Sequence, residues 1–466
     1  MLDSLIIGAG ISGLSTAFTL KQNNKNILIS ERQPRVGGNI ISNAADGFLW
    51  EEGPNSFQPN AEMLKLAVEV GLKDQLVLAD RRLPRYVYWN QRLNAVPMSP
   101  PSAITTGLLS PVGKLRAFLG ALGFVPANLR EEETIFQFVR RHLGPEVAER
   151  LISPFVSGVY AGDVHQLSMA AAFRRVFRLQ EAGGGLVPGA ILSRKQQPPK
   201  PEPDANLPKV KRGELGSFQE GLQQLPTAIA HHLKDQLRLN WAVTHLERTP
   251  QNTYIAHFDT PDGAQQIETR SLVLTTPAYI TADLLNPLSP PASQALSQID
   301  YPPVACVVIA YPDNAFTRPL KGFGNLNPRN QGIRTLGTIW SSTLFPGRNP
   351  QGWQMLTNFI GGATDREIAK LSPEAIVQAV HQDLQGVLLA KDIQPKVLAV
   401  RLWERAIPQY TLGHLDRLET IANALETLPG VFLCANYTDG VALGDCVRRG
   451  RETAETIDSY CSQHDN

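Results

Sequence analysis

Cysteine is scarce in this chain: Cys306, Cys434, Cys446 and Cys461 are all there is in 466 residues, with no Cys-x-x-Cys pair. That excludes a disulfide framework and the common zinc modules, and no metal site is expected. Charge of one sign is not in excess either. With 44 Lys and Arg against 43 Asp and Glu, the net charge is +1, too little to draw in nucleic acid or an acidic polymer. Long apolar runs are missing, so no spanning helix is expected, although attachment to a membrane surface stays open. A glycine-rich turn is reached by Gly8, which leaves no room for a signal or transit peptide ahead of the first strand.

What is present is an ordinary globular composition, 42% hydrophobic and 19% charged. The length exceeds one simple core, so two or three domains are expected. Residues Ser4–Ile7 read as a buried strand, Gly13–Gln22 as a helix and Ile27–Ser30 as a second apolar strand ending at Glu31. Strand, turn, helix and strand within about thirty residues make a nucleotide-binding βαβ unit.

The turn Gly8-Ala9-Gly10-Ile11-Ser12-Gly13 supplies the glycine fingerprint. Gly8 permits the tight turn, Gly10 lets backbone amides approach a pyrophosphate, and Gly13 lets helix and strand pack closely. The helix N-terminus favours the phosphate charge. Glu31 suits ribose hydroxyls. Further small-residue turns favour FAD over NAD: Gly37-Gly38-Asn39, then Gly53-Pro54-Asn55-Ser56, and late in the chain Asn436 through Val441, Ala442 and Leu443. The last of these leads into a helix whose N-terminus would stabilise an anionic ring.

Between Pro97 and about Gln180 the pattern is helical, with segments at Lys114–Phe124, Thr134–Leu143 and Glu146–Ile152. A polar, proline-rich stretch at Arg194–Arg212 reads as a surface loop. Beyond it, Leu272–Thr275, Val304–Ala310 and Val431–Ala435 read as strands, and Pro373–Leu389 and Val441–Ser459 as helices. The expected class is α/β. A Rossmann-type FAD-binding domain is assembled from 1–80, 211–255 and 398–466, an α+β substrate domain from 81–96 and 256–397, and an inserted helical domain from 97–210.

From end to end the chain resembles the amine-oxidase-like flavoproteins. The stretches Leu151–Met169, Lys321–Ser342 and Val441–Cys446 resemble, within them, the oxygen-dependent protoporphyrinogen IX oxidases of the plastid type. The resemblance implies oxidation of protoporphyrinogen IX to protoporphyrin IX, with FAD as cofactor, dioxygen as acceptor and hydrogen peroxide as product. It implies that Arg85 binds a propionate, that Leu326, Ile339 and Phe359 clamp the macrocycle, and that the Gly162 backbone approaches it. Arg32 and Val243 complete the expected cofactor set. No side-chain base is identified: Asp163 stands equally as a base or a cap, and His165 reads as a surface residue.

The resemblance also implies a homodimer, a helical block around Ser99–Leu129 facing a membrane, and a bacterial, cyanobacterial source. In that block Lys114 and Arg116 would meet headgroups while Leu115, Phe118, Leu119 and Leu122 dip inward; ordinary helix packing is the alternative. Transfer of product to a chelatase is compatible with it, though no residue speaks for it. The rival readings are oxidation of coproporphyrinogen III, or a related FAD amine oxidase or desaturase.

Overall fold

The computed structural model describes residues 1–126, 128, 131–196, 204–390 and 393–463. Two mixed seven-stranded sheets organise it. In the first, the strand Leu2–Ile7 pairs in parallel with Ile27–Glu31 on one side and with the end of Gly263–Leu274 on the other. Leu237–Leu239 and Val431–Leu433 extend the parallel core, and Ala242–Arg248 and Tyr254–Thr260 add an antiparallel meander. The runs Leu5-Ile6-Ile7, Ile27-Leu28-Ile29 and Leu272-Val273-Leu274 are buried throughout. That is the pattern of strands covered on both faces.

One cover is the helix Ile11–Gln22, packed against Leu443–Gln463 from the far end of the chain. Gly450 makes that approach possible, because a Cβ there would lie 2.7 Å from the Ser15 side chain. The other cover is built from Ala278–Leu285, Pro290–Ser297 and His414–Leu425.

The second sheet runs in the order Lys396–Trp403, Val304–Pro312, Trp353–Gly361, Thr335–Ile339, Gly324–Leu326, Arg85–Trp89, Arg92–Ala95. Its outer face is closed by the helix Pro373–Val387. That helix starts where the Ser372 hydroxyl caps the Ala375 N–H and Pro373 takes the first position. Ile376, Val380 and Leu384, spaced four apart, pack on Val307, Ile309 and Leu356. Each contributes about 1.5–3 kcal/mol of burial. The inner face turns to the hairpin Ser42–Ala45/Phe48–Glu51 and to the first domain.

Two expected boundaries shift because strand pairing decides them. The division at 255/256 falls inside Tyr254–Thr260, and residues 254–274 pair within the first sheet. The division at 397/398 falls inside Lys396–Trp403, which belongs to the second sheet.

The helical block includes Pro111–Ala121, Ile135–Leu143, Ser153–Tyr160, Arg174–Gly183 and Leu186–Gln196 around Ile135, Phe138, Val156 and Leu167. A Thr134–Gln137 capping box starts the second of these. The expected helical segment Glu146–Ile152 lies in one helical run, α at Pro145–Val147, π at Ala148–Ile152 and α again at Ser153–Tyr160. The proline-rich stretch is helical through Gln196, and its 197–203 portion lies outside the described residues. Among the described residues no helix is long and apolar enough to cross a membrane.

Candidate functional site

At the end of the first strand two glycine turns meet. Gly8 has φ +105°, and a Cβ on it would lie 2.7 Å from Thr275 Oγ1. A Cβ on Gly13 would lie 2.1 Å from the Gly8 carbonyl oxygen. Gly10 faces open space, with nothing within 4 Å of its Cβ position, and Gly38 stands beside it. The Gly37 N–H donates to the Ala9 carbonyl (2.8 Å), tying the turns together. No side chain caps the helix that begins at Ile11, so the first-turn amides around Ile11, Ser12 and Gly13 lack a side-chain acceptor.

Glu31 is buried, and accepts the Ala9 N–H on Oε2 and the Gln33 N–H on Oε1, both at 2.9 Å. Arg35 braces the second turn through the carbonyls of Val36, Gly38 and Ile40. Arg32 and Asn39 point to solvent. Val243 sits half-buried on the strand that passes the end of Glu31, where the Trp241 N–H donates to the Glu31 carbonyl (2.9 Å).

The segment Glu51–Ser56 is pinned from both sides. Glu51, fully buried, takes hydrogen bonds from Ser42 Oγ (2.5 Å), the Leu222 N–H (3.0 Å) and Arg348 (3.2 Å). Burial nevertheless raises its carboxyl to about 7. Glu52 is paired with Arg401 of the second sheet (2.6 Å), and its carbonyl accepts Trp403 Nε1 (2.9 Å). Gly53 has no room for a side chain, since a Cβ would lie 2.1 Å from the Asn39 carbonyl oxygen. Pro54 and Ser56 are half-buried, and Asn55 Oδ1 is buried with no hydrogen-bond partner among the described residues.

The turn Asn436–Leu443 closes the set. Its Asn436 carbonyl accepts from the Tyr410 hydroxyl, and its Tyr437 carbonyl is bonded to His414 Nε2 (2.9 Å). Val441 and Leu443 are half-buried and Ala442 is exposed.

A second cluster lies on the inner face of the second sheet. Leu326 pairs with Gly337, Gly337 with Phe359, Gly324 with Ile339, and Gly324 in parallel with Arg85. Cross-strand partners and residues two apart share a face. Arg85, Leu326, Ile339 and Phe359 therefore line one face across four adjacent strands, spanning roughly 14 Å. All four are half-buried, whereas neighbours such as Val87, Gly337 and Ile360 are buried. The Arg85 guanidinium lies over Phe323 at 5.2 Å. Burial lowers its pKa, and among the described residues no carboxylate pairs with it.

Gly162 is buried in the loop that follows Ser153–Tyr160. A Cβ there would meet Gln409 Oε1 and Leu167 Cδ1, each at 2.7 Å, so its α-carbon is covered by protein. The residue that abuts the clamp is Gly158, whose Cβ would lie 2.3 Å from Leu326 Cδ2. Asp163 caps a turn, accepting from the His165 N–H and Gln166 Nε2, and His165 is exposed beside Phe136.

The profile of the flavin containing amine oxidoreductase family matches residues 11–458. The chain belongs to that family. It is 45% identical to the chloroplastic protoporphyrinogen oxidase of Nicotiana tabacum over 99% of this chain and 86% of that protein. It is 29% identical to the coproporphyrinogen III oxidase of Bacillus subtilis over 98% of each. Among solved structures, an Exiguobacterium protein described provisionally as a protoporphyrinogen oxidase superposes with a TM-score of 0.81 at 24% identity, covering 98% of both chains. The plant relatives carry the word chloroplastic in their names, and the expected bacterial source finds no support there.

The protein is thus an oxidoreductase of the flavin family, with FAD as its cofactor. The uncapped helix start, the open side of Gly10 and the unpartnered Asn55 Oδ1 are the features such a group requires: amide donors for a pyrophosphate, a bare backbone and a waiting acceptor. Several residues of the site carried no readable signal in one sequence. Gly158, Arg348, Arg401, Tyr410 and His414 reach it only through long-range pairing.

Proposed function

We propose that the protein oxidises protoporphyrinogen IX to protoporphyrin IX with dioxygen as acceptor, releasing hydrogen peroxide. The observation that carries this is the shared face of Arg85, Leu326, Ile339 and Phe359, an unpaired cation beside an apolar strip. The 45% identity to a plant protoporphyrinogen oxidase over nearly the whole chain supports it.

FAD, when bound, supplies the acceptor for hydride. Gly8–Gly13, Glu31, Gly37-Gly38, Gly53–Ser56 and the Asn436–Leu443 turn would hold it, with Arg32, Asn39 and Val243 at the rim. The protein's own side chains would bind and orient the macrocycle. Leu326, Ile339 and Phe359 pack on its rings; burying roughly 400 Å² of apolar surface contributes about 10 kcal/mol before the cost of association. Arg85 takes a propionate, each charge-assisted bond adding about 1.5–3 kcal/mol. Gly158 lets Leu326 sit close beneath the ring, and Gly162 supports the loop from behind. Asp163 has both oxygens engaged in its turn, so no side-chain base is assigned; the reaction relies on positioning donor against acceptor.

The decisive experiment mixes the purified yellow protein with protoporphyrinogen IX in air and follows porphyrin fluorescence. Growth no faster than autoxidation, together with turnover of coproporphyrinogen III, would transfer the assignment to the second substrate, which the Bacillus relative's name raises.

The helical block is proposed to rest on a membrane surface, since Val112, Leu115, Phe118 and Phe124 project from it into solvent. Arg116 is not available for headgroups, because it folds back onto the Arg141 and His142 carbonyls; Lys114 is left for that role. Dimer formation and hand-off of product to a chelatase rest on resemblance alone.

A further inference from the structure

The stretch from Gln409 to His414 has a role in neither the cofactor nor the substrate set, yet it touches both. Toward the first domain, the Tyr410 hydroxyl donates to the Asn436 carbonyl and accepts the Gly440 N–H (3.0 Å). Its ring stacks on His414 with centroids 4.3 Å apart and planes at 11°. His414 Nε2 donates in turn to the Tyr437 carbonyl (2.9 Å). Three backbone groups of the turn that opens the last helix are therefore held by two stacked, buried rings.

Toward the helical block, the Ser168 N–H donates to the Tyr410 carbonyl (2.8 Å), and the Leu412 N–H to the Gln166 carbonyl (3.0 Å). Gln409 Nε2 donates to the Tyr160 carbonyl (2.9 Å), and its Oε1 lies where a Gly162 side chain would be. Ala161 in this loop, at φ +50°, packs in one cluster with Phe359 of the clamp. One short segment thus joins the loop beneath the clamp to the turn at the cofactor.

We propose that Tyr410 is a positioning residue for the oxidation, its hydroxyl setting the Asn436–Gly440 turn, and the FAD held against it, in register with the clamp. The proposal rests on the cofactor assignment to that turn. Burial keeps the Tyr410 phenol protonated by pushing its pKa well above the ordinary value, with Tyr160, Tyr301 and Cys446 around it. Burial likewise pushes His414 down to about 4, beside Arg417, so the pair stays neutral. A neutral phenol can donate to one backbone group and accept from the other at once, which phenylalanine cannot.

The test is Tyr410→Phe, which keeps the ring and its stacking and removes only the hydroxyl. With FAD bound, kcat for the porphyrinogen should fall about 10-fold while KM changes by less than about twofold. The midpoint potential and visible band of the bound FAD should shift, a readout that loss of folding stability alone would not move. An unchanged kcat and potential would overturn the proposal. So would a loss of rate that excess FAD restores in full, since Tyr410 would then serve only to retain the cofactor. If Tyr410→Phe does not fold, His414→Gln is read in its place against the same outcomes. Should the wild type oxidise no porphyrinogen, the substrate assignment fails, while the potential difference between wild type and variant still decides the role of Tyr410.

Discussion

Replacing Arg348 by methionine removes a cation from a place where its partner cannot reach water. Arg348 is 4% exposed and Glu51 0%. The guanidinium bonds Glu51, Ser217 Oγ (2.6 Å) and the Phe218 carbonyl (3.1 Å), and lies 4.7 Å over Phe345. Methionine retains much of the packing and none of the donors. Glu51 would keep Ser42 and the Leu222 N–H but lose its counter-charge, a situation that costs about 3–5 kcal/mol.

The cost should depend on pH. The Glu51 carboxyl already sits at about 7, above its unfolded value near 4.3, because of burial. Without Arg348 it rises further, so the folded state holds a proton that the unfolded state releases. Stability then falls as pH rises between those two values. Thermal unfolding followed by bound-FAD fluorescence should show Arg348→Met melting about 3–5 °C lower at pH 8 and distinctly less so at pH 6. Adding Glu51→Gln to Arg348→Met should recover part of the loss at pH 8, because a neutral amide replaces the stranded charge. Equal loss at both pH values, or no recovery in the double variant, would refute the reasoning.

Arg85→Ala should raise KM for the porphyrinogen about 10- to 100-fold with little change in kcat, measured by initial rates of porphyrin fluorescence; an unchanged KM would return Arg85 to a surface role. Gly13→Ala places a methyl 2.1 Å from the Gly8 carbonyl oxygen, so the purified variant should carry little FAD by its visible spectrum. His414, lowered by burial from 6.5 to about 4, favours the folded state only while neutral. Stability should therefore decline as pH falls from 6.5 toward 4, by up to about 3 kcal/mol, and His414→Gln should flatten that part of the denaturant-midpoint profile.

The opening βαβ unit was legible because its determinants are local: glycine spacing, two β-branched runs and an acid at the strand end. The long-range parts were not. Nothing in Leu272–Thr275 announces that the preceding nine residues continue the same strand, the first seven of them pairing with Tyr254–Thr260, so a reading of the sequence puts the domain boundary too early. Gly162 and Gly158 look equally permissive in a string of letters. Only packing distinguishes the one backed by Gln409 and Leu167 from the one pressed on Leu326. Arg85 and the clamp were located by resemblance. Their common face follows from strand register, which periodicity in separate segments cannot supply. Tyr410 carried no signal at all, being an ordinary tyrosine whose meaning lies in two backbone groups about thirty residues away.

The seam between the sheets has a consequence for how reactant and product pass. Arg401 and Trp403 belong by backbone to the second sheet, yet both bond Glu52, next to the glycine turn of the first domain. A jaw hinged along that line would have to break both bonds at every opening. Arg401 and Trp403 thus tie the second sheet to the first domain at Glu52, and any opening along that line costs both bonds.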